Sequence, residues 1–422
     1  MRINNSEINL GKLVFVKRLE KKITQQELSN GICSITYLSK LENSKIPPSN
    51  EIIILLLERL GVQFGELETT KMDFIANLER WYQAIVSKNE ISMTDYYYKL
   101  LSEQLDDLYS AELLYYFNLI HFMDSIFKGN EEVALDSLRT LHANRDKFTE
   151  QQSAYFEYFT GLYYCLLKKD YSKGILYFER VIPFFTDPSN EDAEFFYHLS
   201  LTYTNVNNIR LALIYIEKAL ELYNNQMLFK KIINCKIILA INYGRQKEYE
   251  LAKYILENLL NALSEDTVEN IQIKSKVIHN LGFMYSETGH YDIAIAYYLQ
   301  AIALTDDKSH SYLNMVLELV LNMKSNQQEE EALRWIQTAL SKKIHSPSEV
   351  IQLNIIEKQI LQLDEELITY LEEEAIPYFE EINNQSLMLK YYEMIGLQYD
   401  KLFQYKKSSK YFRKCIDILK KT

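Results

Sequence analysis

The stretch 277–303 constrains the fold most, because it has the spacing of two helices joined by a turn. Gly289 and His290 separate its halves, and glycine tolerates the backbone angles found where helices end. Large and small side chains recur in the second half at spacings of three and four, the period of an amphipathic helix: Tyr291, Ala294, Tyr298 and Ala301. The small side chains of Gly282 and Ala294 would let the two helices approach closely. The stretch therefore predicts a tightly packed helical hairpin.

The hairpin pattern recurs along the chain with a nearly constant period. The small residue Ala294 has six equivalents, which are Ala134, Gly174, Ala212, Ala252, Ala332 and Ser408. The last interval, from Ala332 to Ser408, is about twice as long as the others and leaves room for one degraded repeat. The pattern resembles the tetratricopeptide repeat, whose usual period is somewhat shorter, about 34 residues. We expect an all-α fold in which a right-handed superhelix of about nine such repeats covers 77–422. An irregular helical bundle is the alternative, but it would give no reason for a fixed period.

Residues 1–68 carry a different pattern, that of five short helices. Thr24 and Glu27 form a capping box at the start of the second helix, Gly31 ends it, and Ser34 caps the third. Two short helices joined by a tight turn are the layout of a helix-turn-helix DNA reader, and the segment resembles the phage-repressor type. Ser44 stands where glycine usually ends the recognition helix. We expect a DNA-binding domain over 1–68, a connector over 69–76, and a peptide-binding and oligomerisation domain over 77–422.

In this motif the second helix of the pair lies in the major groove of DNA. Four of its side chains are the candidates for contact with bases: Ile35, Thr36, Ser39 and Lys40. The resemblance implies phosphate contacts by Gln25, Asn43 and Lys45. A homodimer would place two such heads on the half-sites of a palindromic double-stranded operator. The alternative is that the helix-turn-helix fold contacts only other proteins and does not bind DNA.

Charge and cysteine usage narrow the function classes. The segment 1–50 contains eight basic and four acidic side chains, whereas the whole chain has a net charge of −12. A body this acidic is not a general nucleic-acid coat. The four cysteines are far apart and no cysteine or histidine spacing suggests a metal site. We therefore expect no metal. We also expect no cofactor, and no enzymatic activity because no carboxylate or glutamine constellation supports one. The chain lacks an apolar run long enough to span a membrane and has no signal-peptide pattern, so we expect a cytoplasmic protein.

A helix-turn-helix head followed by long, degenerate tetratricopeptide repeats resembles the RRNPP family of peptide-pheromone receptors from Gram-positive bacteria. In length and repeat number the chain looks most like the NprR-like branch, and it is also similar to the PlcR-like branch. The resemblance implies a quorum-sensing transcriptional regulator. Such a protein binds a short imported signalling peptide in the concave groove of its repeats, and this binding changes how its head binds DNA. It would act as a homodimer or a higher oligomer.

The same resemblance implies that an asparagine just before the Leu-Gly pair of an inner helix holds the peptide backbone. Asn280 occupies that place. Its equivalents in neighbouring repeats are His198, Ile238 and Glu318, a departure that leaves the family's second clamp unassigned. By their helical phase, Asn205, Asn234 and Asn314 also face the groove, and Arg245 could meet the peptide carboxylate. Each of these residues could instead be a solvated polar side chain.

Two other functions fit the same architecture. A Rap-like protein would regulate a response-regulator phosphorelay by binding protein partners, although no carboxylate or glutamine constellation here matches a phosphatase site. A plasmid or phage repressor would share the architecture but serve a different circuit.

Overall fold

The computed structural model describes residues 1, 3, 9–87, 91–105, 110–263 and 267–420. Every regular element within these residues is helical, as the sequence predicts. The chain forms two compact units, Met1–Phe229 and Lys230–Thr422.

Five helices follow one another in the region of the predicted head: α1 (Leu10–Glu20), α2 (Gln25–Ser29), α3 (Ile35–Glu42), α4 (Asn50–Arg59) and α5 (Phe64–Val86). The predicted capping box is present, since Thr24 accepts a hydrogen bond from the Glu27 amide and the Glu27 carboxylate accepts one from the Thr24 amide at 2.7 Å. Ser44 has a φ of 54°, the left-handed conformation that glycine usually supplies. Its hydroxyl accepts a hydrogen bond from Asn9 Nδ2 at 3.0 Å, which helps to hold this turn.

Helix α3 is fixed closely against α1. A Cβ atom added to Gly11 would lie 2.1 Å from the Leu41 carbonyl oxygen, so only glycine allows this approach. The buried Arg18 donates to both oxygens of the buried Glu42 carboxylate, at 2.6 and 2.9 Å. This hydrogen bonding raises the pKa of the Arg18 guanidinium. Such a bidentate pair fixes orientation as well as position.

The predicted connector, 69–76, is not a separate segment. It lies within α5, which runs without a break from Phe64 to Val86. Phe74, Leu78 and Trp81 are all fully buried, so this helix contributes one continuous apolar face. The domain boundaries at residues 68 and 77 stay a prediction, because a single helix crosses both.

Eight further helices are described in the first unit: α6 (Ile91–Ser102), α7 (Ala111–Phe127), α8 (Glu131–Ala143), α9 (Glu150–Leu162), α10 (Tyr171–Glu179), α11 (Ile182–Thr186), α12 (Ala193–Asn205) and α13 (Ile209–Asn225). A π-helical turn, Tyr163–Leu167, extends α9. The segment 171–185 is not one continuous helix. The helix α10 ends at Glu179, and α11 begins at Ile182 with Pro183 in its first turn. Proline lacks the amide proton that a continuing helix would need.

The second unit has eleven helices in its described part: α14 (Phe229–Arg245), α15 (Tyr249–Ala262), α16 (Val268–Glu287), α17 (Tyr291–Ala303), α18 (His310–Ser325), α19 (Glu329–Ser341), α20 (Pro347–Ile360), α21 (Asp364–Tyr370), α22 (Ile376–Glu381), α23 (Gln385–Lys401) and α24 (Tyr405–Leu419). The first helix begins at the last residue of the other unit.

The predicted repeat pattern is confirmed by burial. Ala212 in the first unit and Ala252, Ala294 and Ala332 in the second have no exposed surface. The degraded repeat contains a π-helical turn, Leu371–Ala375, between α21 and α22. A π turn inserts a residue into the helical register, so the small residue expected there loses its phase.

Candidate functional site

The outward face of α3 carries the predicted base-contacting residues. Leu38 and Leu41 are buried in the head, as expected from the pattern. On the other side the structure exposes Ile35, Thr36 and Lys40 and leaves Ser39 half-buried. Ser34 caps the helix by accepting a hydrogen bond from the Tyr37 amide at 3.1 Å. The amino-terminal turn of α3 is therefore capped and presents polar and methyl groups of the kind that read bases.

The three predicted phosphate-contacting residues differ in their freedom to bind. Asn43 and Lys45 are exposed just beyond the end of α3. Gln25 is half-buried, and its amide nitrogen donates to Glu42 Oε2 at 2.6 Å. A phosphate would have to compete with that carboxylate for the Gln25 side chain. All three assignments stay predictions.

The predicted peptide-binding residues fall in both compact units. Asn205, the last residue of α12, belongs to the first unit; it is exposed and donates to the Leu201 carbonyl at 2.8 Å. The other four lie on α14, α16 and α18, the first helices of three consecutive pairs in the second unit: Asn234, Arg245, Asn280 and Asn314.

Within the second unit the asparagines are half-buried and only partly engaged. Asn280 Nδ2 donates to the Lys276 carbonyl at 2.8 Å, which leaves its side-chain oxygen and its second N–H group for other partners. Asn234 and Arg245 are separated by about three helical turns on α14 and so lie on one face. Arg245 is exposed at the surface, and partial desolvation of its guanidinium lowers its pKa. Amides and a guanidinium in these positions can bond the polar groups of a peptide.

Two partly buried charged side chains of the second unit were not identified from the sequence. Lys324 donates to Gln359 Oε1 at 2.7 Å, and burial lowers its pKa. Glu318 is half-buried, and burial is also the main cause of its raised pKa. The sequence did carry one signal for Glu318, because it occupies the repeat position held by Asn280 in the preceding repeat.

The described residues contain no group of histidine, cysteine or acidic side chains that could hold a metal ion. Among them, no helix is both long and apolar enough to cross a membrane.

Comparisons with known proteins agree with both halves of this architecture. The helix-turn-helix family model matches residues 17–67, and the tetratricopeptide-repeat model matches 193–226, 275–308 and 389–419. The transcriptional activator NprA of Geobacillus stearothermophilus is 29% identical over 284 residues, covering 65% of this chain and 67% of NprA. These matches support the resemblance of the chain to the RRNPP family in both of its parts.

Rap proteins of Bacillus subtilis are also similar to this chain. The regulatory protein RapD is 25% identical over 290 residues, covering 66% of this chain and 80% of RapD. Three further relatives from that organism are named response regulator aspartate phosphatases.

Solved structures of an RRNPP protein share the fold. The apo form of the quorum sensor NprR from B. thuringiensis aligns with a TM-score of 0.69 at 22% identity and covers 83% of this chain and 99% of NprR. The complex of NprR with its cognate peptide NprX aligns with a TM-score of 0.60, also at 22% identity, and covers 82% and 98%. At this identity the likeness establishes the fold alone.

His279, beside Asn280, generates a prediction about how the stability of the chain depends on pH. Burial lowers the pKa of His279 to about 4, from an ordinary value near 6.5. Between these two values the unfolded chain binds a proton that the folded chain does not, so stability falls as the pH falls. Between pH 7 and pH 5, we expect the free energy of unfolding of wild type to fall by roughly 2 kcal/mol more than that of His279→Gln. Urea unfolding at both pH values measures this change.

The matched control for this prediction is His142→Gln, which changes an exposed histidine on α8. The raised pKa of Glu318 has the opposite effect, since it makes stability fall as the pH rises, and it is present in both variants. A stability difference between wild type and His279→Gln that is the same at pH 7 and pH 5 would contradict the prediction.

Proposed function

We propose that this protein is a cytoplasmic quorum-sensing transcriptional regulator whose repeat domain binds a short imported signalling peptide and thereby changes DNA binding by its head. The observation that carries the proposal is the joining of two parts in one chain. A helix-turn-helix head with an exposed recognition face precedes an array of tetratricopeptide repeats with asparagines on first helices. The likeness to NprR and NprA, over about two thirds or more of the chain, supports it.

On the DNA side, we propose that Ile35, Thr36, Ser39 and Lys40 contact base edges in the major groove. A face with one lysine and two hydroxyl groups offers few strong contacts. One head alone would therefore bind weakly, which favours a homodimer on a palindromic operator.

On the peptide side, we propose that Asn280 bonds the peptide backbone, since an amide can both donate to a carbonyl and accept from an N–H group. The asparagines at 205, 234 and 314 and the guanidinium of Arg245 are the further candidates. Backbone bonding gives affinity with little sequence preference, and pockets between side chains then select the peptide.

The experiment that tests the whole proposal is a gel shift on DNA from upstream of the gene. Synthetic peptides are added that match the carboxyl-terminal ends of small secreted open reading frames next to it. We expect one peptide to change the shift. Specific DNA binding that no peptide alters would refute peptide control, and the absence of any shift would refute the DNA-binding role.

A base-reading face predicts a particular DNA phenotype. We expect Thr36→Ala combined with Ser39→Ala to lower affinity for the operator about tenfold and to leave non-specific binding nearly unchanged, because base contacts specify and phosphate contacts do not. Fluorescence anisotropy on operator and scrambled DNA measures both. The control is Thr69→Ala, an exposed hydroxyl on α5. An equal loss on both DNAs would argue against this recognition face.

A backbone-binding amide predicts a peptide phenotype. We expect Asn280→Ala to weaken binding of the active peptide about tenfold, the value of one or two lost hydrogen bonds. Isothermal titration calorimetry measures the affinity. Asn144→Ala is the control, because Asn144 Nδ2 also donates to a carbonyl one helical turn earlier in its own chain, that of Thr140, at 3.0 Å. Unchanged affinity in Asn280→Ala would remove this residue from the site.

The names of the Rap relatives support a second candidate, regulation of a phosphorelay through contact with a response regulator. Incubation of the purified chain with phosphorylated response regulators from the same organism tests it. This role is excluded if the chain does not shorten the lifetime of the aspartyl phosphate and forms no complex with the response regulators.

A further inference from the structure

Glu318 lies on the same side of its helix as two asparagines. Asn314, Glu318 and Asn322 follow one another at a spacing of four on α18, and residues with this spacing share one helix face. In the repeat pattern Glu318 is equivalent to Asn280, whose amide is a candidate for holding a peptide backbone. The second unit thus has a neutral amide at this position in one repeat and a carboxylate in the next.

The Glu318 carboxylate has no partner among the described residues, which provide neither a hydrogen bond nor an ion pair to it. The side chain is half-buried, and this burial raises its pKa. Two other charges act on it: the positive charge of Lys390 on α23 lowers the pKa, and the negative charge of Glu287 on α16 raises it. Lys390 is therefore close enough to influence the pKa of Glu318 but does not form an ion pair with its carboxylate.

Several buried polar atoms nearby are also without a partner. In the described part of the chain they include Tyr298 Oη, Asn322 Oδ1 and His279 Nε2. The rings of His279 and Tyr298 are in contact, with centroids 5.4 Å apart. Burial, with the charges of Glu318 and Glu287, raises the pKa of Tyr298, which places these two carboxylates in the same neighbourhood. Asn322 is joined to the Glu318 backbone, since its Nδ2 donates to the Glu318 carbonyl at 2.9 Å.

This arrangement costs stability. A carboxylate that loses water without gaining a hydrogen bond or a counter-charge destabilises the folded chain, and so does each buried polar atom without a partner. Native proteins keep few such atoms, and groups with strongly shifted pKa values cluster at functional sites. The group that would satisfy this cluster carries a positive charge and N–H donors.

We propose that Glu318 is a specificity-determining residue that accepts a cationic nitrogen group of the bound peptide. The group is either a lysine or arginine side chain or the terminal ammonium. The proposal rests on the peptide-binding function proposed above. Asn280 would then bond the peptide backbone without regard to charge, while Glu318 would select peptides with a positive group at one place.

Libraries of synthetic heptapeptides test this on the full-length protein. One position at a time is fixed as lysine, glutamine or glutamate, the others hold mixtures of uncharged residues, and each library is made with free and with acetylated amino termini. Binding is followed by competition with a fluorescent member of the mixture. We expect wild type to prefer lysine over glutamine at one position, or a free over an acetylated terminus, by about tenfold. The position assigns the source of the positive group.

The variant Glu318→Gln removes the charge and keeps the shape, and we expect it to abolish the tenfold preference for a positive group. Glu318→Asn, which introduces the residue type of the preceding repeat, should behave alike. Since the carboxylate has no partner to lose among the described residues, both variants should fold, with a melting temperature at or above that of wild type. Glu330→Gln on α19, whose side chain is 94% exposed, makes the same charge change and should keep the preference.

The outcomes separate the two proposals. The role of Glu318 is overturned if wild type binds peptides without preferring a positive group, or if the preference survives in Glu318→Gln. Either result leaves the peptide-binding function intact. If none of the libraries binds wild type, the proposed peptide-binding function fails and this inference fails with it.

Discussion

In three of the helix pairs, the packing depends on contact between a glycine on the first helix and an aromatic ring on the second. A Cβ atom added to Gly282 would lie 3.1 Å from the Tyr298 ring, and one added to Gly161 would lie 2.3 Å from the Phe178 ring. The ring thus occupies the space that a side chain would fill, and it sets how closely the two helices approach. The fully buried alanine at the start of the second helix, such as Ala294, does the same one turn earlier. Close packing of this kind leaves little freedom for the faces that remain.

This constraint also decides which residues can serve a ligand. On α16, Gly282 and the neighbouring Leu281 face the interior of the pair, so Asn280 is turned away from it and remains half-buried. The same reasoning applies to Glu318 one repeat later. A rigid pair therefore presents polar side chains in a fixed place without using them for its own stability. That is the property a binding surface needs, since groups held in position lose little entropy when a ligand binds.

Local patterns predicted much of the fold. The buried alanines and the capping box at Thr24 follow from spacing within one or two turns of helix, and the structure confirms both. The helical continuity of 69–76 was missed, because the polar residues before Phe74 hide a helix that packing determines. The π turns at 163–167 and 371–375 also have no local signal. The pKa of Glu318 is raised first by its burial, and the charges of Lys390 and Glu287 on other helices then lower and raise it, respectively. No spacing rule could therefore have shown that this carboxylate lacks a partner among the described residues.

The central claim is that peptide and DNA binding are coupled in one molecule, and a thermodynamic cycle tests it most directly. Calorimetry gives the peptide affinity with and without operator DNA, and anisotropy gives the DNA affinity with and without peptide. Because coupling between two sites is reciprocal, the account predicts that each ligand changes the affinity for the other by the same factor, at least about fivefold. A factor of one in both directions would contradict it, even if the protein binds each ligand alone.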